Sequence, residues 1–354
     1  LGFGVWVQIK SWKEELKLTY PWAIASGSKA GSTNVTVGIV QLTAPDGTVG
    51  LGESSPSSRY KENIQSGLDF LGRLDAEKLS FDDLEGSMKY VEGLDPANFS
   101  AKSAVNIALL DGAARKSGKP IYDKLGLGFR DRHHVTSFSI GLDKPEVIRQ
   151  KVLAAENYPV LKLKVGGPDD KANLAALREA APKKPVRVDA NEGWKTKERA
   201  LEMIEWLAAD GHIQFVEQPM PSTTDPRDLV WLKSRSPLPL IADESYHTAK
   251  DVAHCAECYH GANVKLCKTG GITNAYDALQ AARKAGLKTM IGCMIETSIL
   301  ISAAAHLAEL TDYLDIDGNI LISNDPYLGV SSERGLLSFA SASEKTGLRV
   351  KRRA

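Results

Sequence analysis

The sequence predicts an α/β protein whose larger part is a closed β/α barrel, and three observations lead there. From about Thr136 onward short apolar runs alternate with helical patterns. About eight such units in roughly 190 residues favour a parallel sheet that closes on itself. Charged residues recur where those runs end: Lys162 and Lys164 in LKLKVGG, Asp189 in VRVDAN, Glu217 in FVEQP, Asp243 in IADES and Lys268 in VKLCKTGG. The intervals between Lys164, Asp189, Glu217, Asp243 and Lys268 are 25, 28, 26 and 25 residues. Each is long enough for one strand, one helix and two loops.

The first third is built differently. Val5, Val7 and Ile9 alternate, then VTVGIVQLT and TVGLGES flank Pro45, Asp46 and Gly47, a turn signal that predicts three antiparallel strands. Helical patterns follow over about Lys61 to Glu92, broken by internal glycines, and over about Ala97 to Lys116, ending at Gly118 and Pro120. Within the barrel region Thr196 is placed to cap a helix whose Ala200, Met203, Ile204 and Leu207 share one face. Asp225 and Pro226 open the next, and Thr273 opens another that closes at Gly286. The runs PVRVDA, HIQFVEQ, LPLIADE, NVKLCK and KTMIGCM read as strands buried on both faces.

Composition narrows the function. Lys plus Arg and Asp plus Glu number 44 each in 354 residues, which gives no electrostatic reason to expect nucleic acid or an anionic membrane. No run approaches the roughly 18 apolar residues of a membrane span, and the first stretch is unlike a signal peptide, so a cytoplasmic location and a small-molecule substrate are expected. Cys255, Cys258, Cys267 and Cys293 are too few for a disulfide scaffold. Cys255 and Cys258 form a CxxC on a predicted helix over about Thr248 to Tyr259, with no second CxxC; buried helix cysteines explain them better than zinc, and His254 and His260 likewise.

Asp189, Glu217 and Asp243 are hard oxygen ligands on successive strands. Three carboxylates suit Mg²⁺ better than zinc, which prefers His or Cys. Any one alone would pass for a helix cap; three together point to a shared metal, one per chain. Lys162 and Lys164 alternate with Leu161 and Leu163, so both ammoniums face the barrel interior. Lys162 and a nearby metal ion would lower the pKa of Lys164 and poise it as a base. Lys268, about four strands onward, stands across the mouth. Two such bases would remove an α-proton from one face of a metal-bound carboxylate substrate and return it to the other, a racemisation or epimerisation. On the eighth strand, YLDIDGN, Asp315 and Asp317 again share a face and are suited to a substrate ammonium.

These residues resemble the enolase superfamily, in its muconate-lactonizing-enzyme subgroup, and within it the dipeptide epimerases. The resemblance runs over nearly the whole chain, through GESSPSSRYKEN, ALLDGAARKSGKPIYDKLG, KLKVGG, DANEGW, VEQP, ADES, VKLCKTGGI, GCMIETSI, DIDG and SNDPYLG. It implies a modified (β/α)7β barrel over 131–323, with an α+β capping domain formed by 1–130 and the returning tail 324–354. It implies Asp189, Glu217 and Asp243 as Mg²⁺ ligands, Lys164 and Lys268 as the acid/base pair, and Lys162 as the auxiliary lysine beside the substrate carboxylate. A lysine base with Mg²⁺ is a known pattern of this superfamily. Asp315 and Asp317 would bind the α-ammonium of a dipeptide, Glu244 and Asn191 would contact or support the site, and Glu296 and Thr297 would line it. The capping loops, about Trp22 to Thr33 and Ser54 to Lys61, would choose the side chain.

Several relatives acting on Ala-Glu carry an arginine in the first loop, where this chain has WAIASGSKAGST; Lys29, Arg59 or Lys61 would substitute, without arginine's fork in the case of lysine. The expected substrate is L-Ala-D/L-Glu, and a homo-oligomer is compatible with the sequence. A lyase or cycloisomerase of the same subgroup, such as an o-succinylbenzoate synthase or muconate cycloisomerase, is the alternative; it leaves Asp315 and Asp317 without a role. A non-catalytic barrel gains nothing from buried lysines, and the Gly270 and Gly271 pair is better read as a tight turn than as a phosphate site.

Overall fold

The computed structural model describes residues 6–25 and 31–354. Its first unit is an antiparallel sheet of β1 (Gln8–Trp22), β2 (Ser32–Thr43) and β3 (Val49–Ser54), in that spatial order. The β2–β3 turn forms because Asp46 Oδ1 accepts the Thr48 N–H at 2.9 Å and Gly47 takes φ 84°. Four helices follow: α1 (Ile64–Gly72), α2 (Leu84–Gly93), α3 (Phe99–Lys116) and α4 (Ile121–Lys124). Helix α3 is buried over most of its length and lies directly on β3. Gly50 and Gly52 permit that approach, since a Cβ at either would overlap the carbonyl oxygen of Ala108 or Ala104.

Eight parallel strands then form one sheet in sequential order: β4 (Phe138–Ile140), β5 (Leu161–Lys164), β6 (Val186–Asp189), β7 (Ile213–Glu217), β8 (Leu240–Ala242), β9 (Gly261–Lys265), β10 (Lys288–Gly292) and β11 (Tyr313–Asp315). A parallel bridge between Thr136 and Leu314, with Ser137 N–H donating to the Leu314 carbonyl at 3.1 Å, closes the ring. The crossovers are α5 (Pro145–Ala154), α6 (Asp170–Ala180), α7 (Lys197–Ala208), α8 (Pro226–Lys233), α9 (Val252–Cys258), α10 (Leu266–Thr269) with α11 (Ile272–Lys284), and α12 (Ser298–Ala305). No crossover helix follows β11, giving the (β/α)7β pattern.

Local signals behave unevenly. Thr196 Oγ1 accepts the Arg199 N–H and Asp225 the Arg227 N–H, so α7 and α8 start where their caps place them. Thr273 does not cap α11. Its N–H and Oγ1 are both bonded to Asn106 of α3, and the helix begins a residue earlier after Gly271. Cys255 and Cys258 are buried on α9.

Inside the barrel, side chains alternate between interior and outer face. Phe215, Ile241, Met290 and Tyr313 form an apolar floor, with the Arg187 guanidinium 5.2 Å from the Tyr313 ring centre. The end of the chain, including β12 (Tyr327–Leu328) and β13 (Lys351–Arg352), lies against both units. Leu348 N–H donates to Asp111 Oδ1 of α3 at 2.8 Å, and Arg352 reaches Glu14 of β1 at 2.9 Å. His306, just after α12, accepts the Tyr122 N–H at Nδ1 and bonds the Leu348 carbonyl through Nε2. Among the described residues no helix is long and apolar enough to cross a membrane.

Candidate active site at the barrel mouth

The C-terminal ends of β6 and β7 and the residue just after β8 bring three carboxylates together. One oxygen from each of Asp189, Glu217 and Asp243 lies within 4.8 Å of the others, and all three side chains are buried. Burial and the charges of Asp189 and Asp243 push Glu217 up to about 7, so the cluster repels itself. Glu217 Oε1 accepts the Asn263 amide at 2.7 Å, and Oε2 pairs with Lys162 Nζ at 2.7 Å. A hard, oxygen-only, mutually repelling set of buried carboxylates fits a divalent cation of the Mg²⁺ type.

Lys162 and Lys164 do share the inner face of β5. Lys162 Nζ lies 2.6 Å from Asp315 Oδ2 and 3.2 Å from Asp189 Oδ2; burial opposes its charge, but Asp315, Glu217 and Asp189 prevail and raise its pKa well above the usual value. Lys164 Nζ donates to Asp189 Oδ2 at 2.6 Å and stands 6.0 Å from the centre of the Trp22 ring of the cap.

Across the barrel the structure singles out a different lysine from the expected one. Lys265 ends β9, alternates with Asn263 onto the inner face, donates to Asp243 Oδ2 at 2.8 Å and lines the mouth cavity. Lys268 sits on the one-turn helix α10, where strand alternation no longer sets its direction. Its Nζ bonds the Asp243 carbonyl and, at 2.6 Å, Oδ1, and it is not in the cavity wall. The regular interval of 25 residues led to Lys268; the alternation of Asn263 with Lys265 was the signal that would have found the strand end. With eight strands in sequential order, β5 and β9 are diametrically opposed.

A cavity of about 220 Å³ lies between these groups and the cap. Asp315 and Asp317 both border it, one at the end of β11 and one just beyond the strand. Burial works to raise Asp315, but Lys162 and Lys164 hold it at about 2. Asp317, pushed up to about 7 by burial and by Asp315, accepts the Ser139 N–H at 2.6 Å. Asn191 and Glu244 also line the cavity and lie 3.5 Å apart. Burial, then Asp243 and Asp189, push Glu244 up to about 8.

Three expected wall residues are engaged elsewhere. Thr297 donates its N–H and hydroxyl to Glu53 of β3, and Glu296 accepts the Met294 N–H; neither borders the cavity. Arg59 borders it, but its fork is closed on Glu192, with Nε and Nη2 each 2.7 Å from a carboxylate oxygen. Lys29 lies outside the described residues. The cap side of the wall is otherwise uncharged: Trp22, Ile24, Val35 and Pro56 supply apolar surface and Ser55, Ser57 and Tyr60 supply hydroxyls, while Ile295 and Leu321 add apolar surface from the barrel side.

A (β/α)7β barrel under an α+β cap, with three strand-end carboxylates between two facing lysines, defines an enolase-type enzyme. The match to family models is direct: residues 7–126 fit the mandelate racemase/muconate lactonizing enzyme N-terminal domain and 147–327 the enolase C-terminal domain-like family. The chain belongs to the mandelate racemase/muconate lactonizing enzyme family of the enolase superfamily. It is 74% identical over 345 residues, 98% of this chain and 99% of the relative, to an L-Ala-D/L-amino acid epimerase of Pedosphaera parvula. It is 37% identical to an L-Ala-D/L-Glu epimerase of Bacteroides thetaiotaomicron, across 95% of this chain and 86% of the relative. A crystal structure of a dipeptide epimerase from Enterococcus faecalis with Mg and L-Leu-L-Tyr superposes with a TM-score of 0.88 at 30% identity, covering 98% of this chain and all of that one.

Proposed function

We propose that this enzyme is a Mg²⁺-dependent dipeptide epimerase that inverts the α-carbon of the C-terminal residue. The observation that carries the reading is the placement of Lys164 and Lys265 on opposite strands, on either side of the carboxylate triad, with Asp315 and Asp317 at the edge of the same cavity. Asp189, Glu217 and Asp243 would hold Mg²⁺, which when bound supplies a Lewis acid that stabilises charge on the substrate carboxylate.

The chain's own groups do the rest. Asp315 and Asp317 receive the α-ammonium of the dipeptide, which fixes the orientation of the peptide in the cavity. Lys162 presents a permanent positive charge to the carboxylate end. One of Lys164 and Lys265, as a neutral amine, takes the α-proton into its Nζ lone pair, and the C–H electron pair is delocalised into the carboxylate. The other, as an ammonium, delivers a proton to the opposite face and inverts the centre. The cap closes over this ring and excludes water.

L-alanyl dipeptides are the substrate class named for the Pedosphaera parvula and Bacteroides thetaiotaomicron relatives, and L-Ala-D/L-Glu is one member. With Arg59 engaged by Glu192, the described cap wall offers no free cation, which favours acceptance of a range of side chains rather than selection of an acidic one. Incubating a panel of L-alanyl dipeptides, L-Ala-L-Glu included, with enzyme and Mg²⁺ in D₂O should give epimers carrying one α-deuterium. Absence of exchange in every dipeptide overturns the reading.

A further inference from the structure

The segment from Ser55 to Tyr60 borders the reaction cavity, and it is held to the barrel side at both ends: Ser55 Oγ donates to the Ile295 carbonyl at 3.0 Å, and Arg59 grips the loops after β6 and β7. Arg59 Nε and Nη2 meet the two oxygens of Glu192, and Nη2 also donates to Ser222 Oγ at 2.8 Å. The Ser222 N–H in turn donates to Glu192 Oε1 at 2.7 Å, which closes a ring of hydrogen bonds. The next residue, Tyr60, sets its ring edge-on to His247 at 5.1 Å, and His247 is itself bonded to the Glu244 carbonyl. Arg59 and Tyr60 therefore tie one cap segment to the loops after β6, β7 and β8, at the strand ends where Asp189, Glu217 and Asp243 stand.

The backbone under Glu192 is held against its own preference. Asn191 and Glu192 take φ 41° and 63°, two consecutive non-glycine residues in the left-handed region. Their conformation is over-determined by Glu192 N–H to the Gln218 carbonyl at 2.9 Å and Trp194 N–H to the Pro219 carbonyl at 3.1 Å. A solvent-exposed ion pair usually contributes little, but this one is bidentate and its carboxylate is only 9% exposed.

From this we infer that Arg59 and Glu192 form a positioning clasp, which holds residues 55–60 closed over the bound dipeptide without touching the reacting atoms. The inference rests on the epimerase reading above. Closure then enters the apparent affinity, because substrate binds productively in proportion to the clasped population.

The test compares Glu192→Gln, Glu192→Gly and the charge-reversed Arg59→Glu/Glu192→Arg pair with the wild type. Loss of a charged bidentate contact should raise KM about tenfold or more in Glu192→Gln, with kcat within about threefold. Amide hydrogen exchange across residues 55–61 should quicken in the same variant without any substrate. Glu192→Gly relieves the backbone and removes the carboxylate, so the clasp requires it to be as impaired as Glu192→Gln. The reversed pair should recover part of the loss. A wild-type KM in Glu192→Gly, or an active wild type beside a Glu192→Gln variant unchanged in both KM and hydrogen exchange, overturns the clasp. A wild type that exchanges no α-proton strikes at the epimerase reading instead, and hydrogen exchange alone then decides the clasp.

Discussion

Glu53 on the cap sheet caps a barrel helix that begins beside Thr297, 244 residues away in sequence. Its oxygens accept the Thr297 N–H at 2.9 Å, the Thr297 hydroxyl at 2.6 Å and the Leu300 N–H at 3.2 Å. The free donors at the start of α12 thus find their acceptor on the other unit. Glu53→Ala leaves these buried donors unpaired and should destabilise the protein by about 2 kcal/mol or more, read as a lower denaturation midpoint. Glu53→Gln, which keeps one acceptor oxygen, should lose less.

His306 gives the fold an acid limit. Burial holds its pKa at about 3, below the ordinary 6.5, and its bonds to the Tyr122 N–H and the Leu348 carbonyl fit the neutral ring protonated at Nε2. Between these values the unfolded chain takes up a proton that the folded one does not. The histidine's contribution is therefore fully present above about pH 6.5 and falls as pH drops toward 3. Denaturant titrations should show the stability advantage of wild type over His306→Gln shrinking across that window by a few kcal/mol, in order of magnitude. A constant difference contradicts the assignment.

Lys164→Ala and Lys265→Ala should each abolish epimerisation, by about a thousandfold or more, while retaining α-proton exchange with at most one of the two epimers. Lys268→Ala should retain exchange with both and change chiefly the Mg²⁺ dependence, because its Nζ is bonded to Asp243 rather than placed in the cavity wall. Stereospecific deuterium incorporation separates the three variants. Loss of exchange in Lys268→Ala with activity kept in Lys265→Ala would restore the pairing expected from sequence intervals.

Asp317→Asn should lower kcat/KM for dipeptides with a free amino group by about a hundredfold and affect an N-acetylated dipeptide little. Equal loss on both substrates would show that the carboxylate does not recognise the ammonium.

Chelation of Mg²⁺ should remove activity. Its return should raise the melting temperature, since an ion bound only by the folded chain stabilises it by mass action. Asp243→Asn should abolish that thermal shift, an outcome that can be read without any substrate.

The alternation of Lys162 with Lys164 and the acidic strand ends were legible because a barrel strand is buried on both faces, so a charge there needs a reason. At β9 the chain turns into a one-turn helix at Leu266, so a regular interval carried past that turn lands on Lys268, whereas the lysine that borders the cavity is Lys265. The partners that engage Arg59, Thr297 and Thr273 are hidden from sequence for another cause. Glu192, Glu53 and Asn106 lie 133, 244 and 167 residues away, and local pattern holds no trace of them.

The apolar floor of Phe215, Ile241, Met290 and Tyr313 closes the barrel beneath the carboxylates. The mouth is thereby a well rather than a tunnel: either epimer enters and departs through the same door beneath the cap. Nothing in such a vessel favours one direction of travel. Net flow through the enzyme will follow whichever neighbouring reaction drains one hand of the substrate faster.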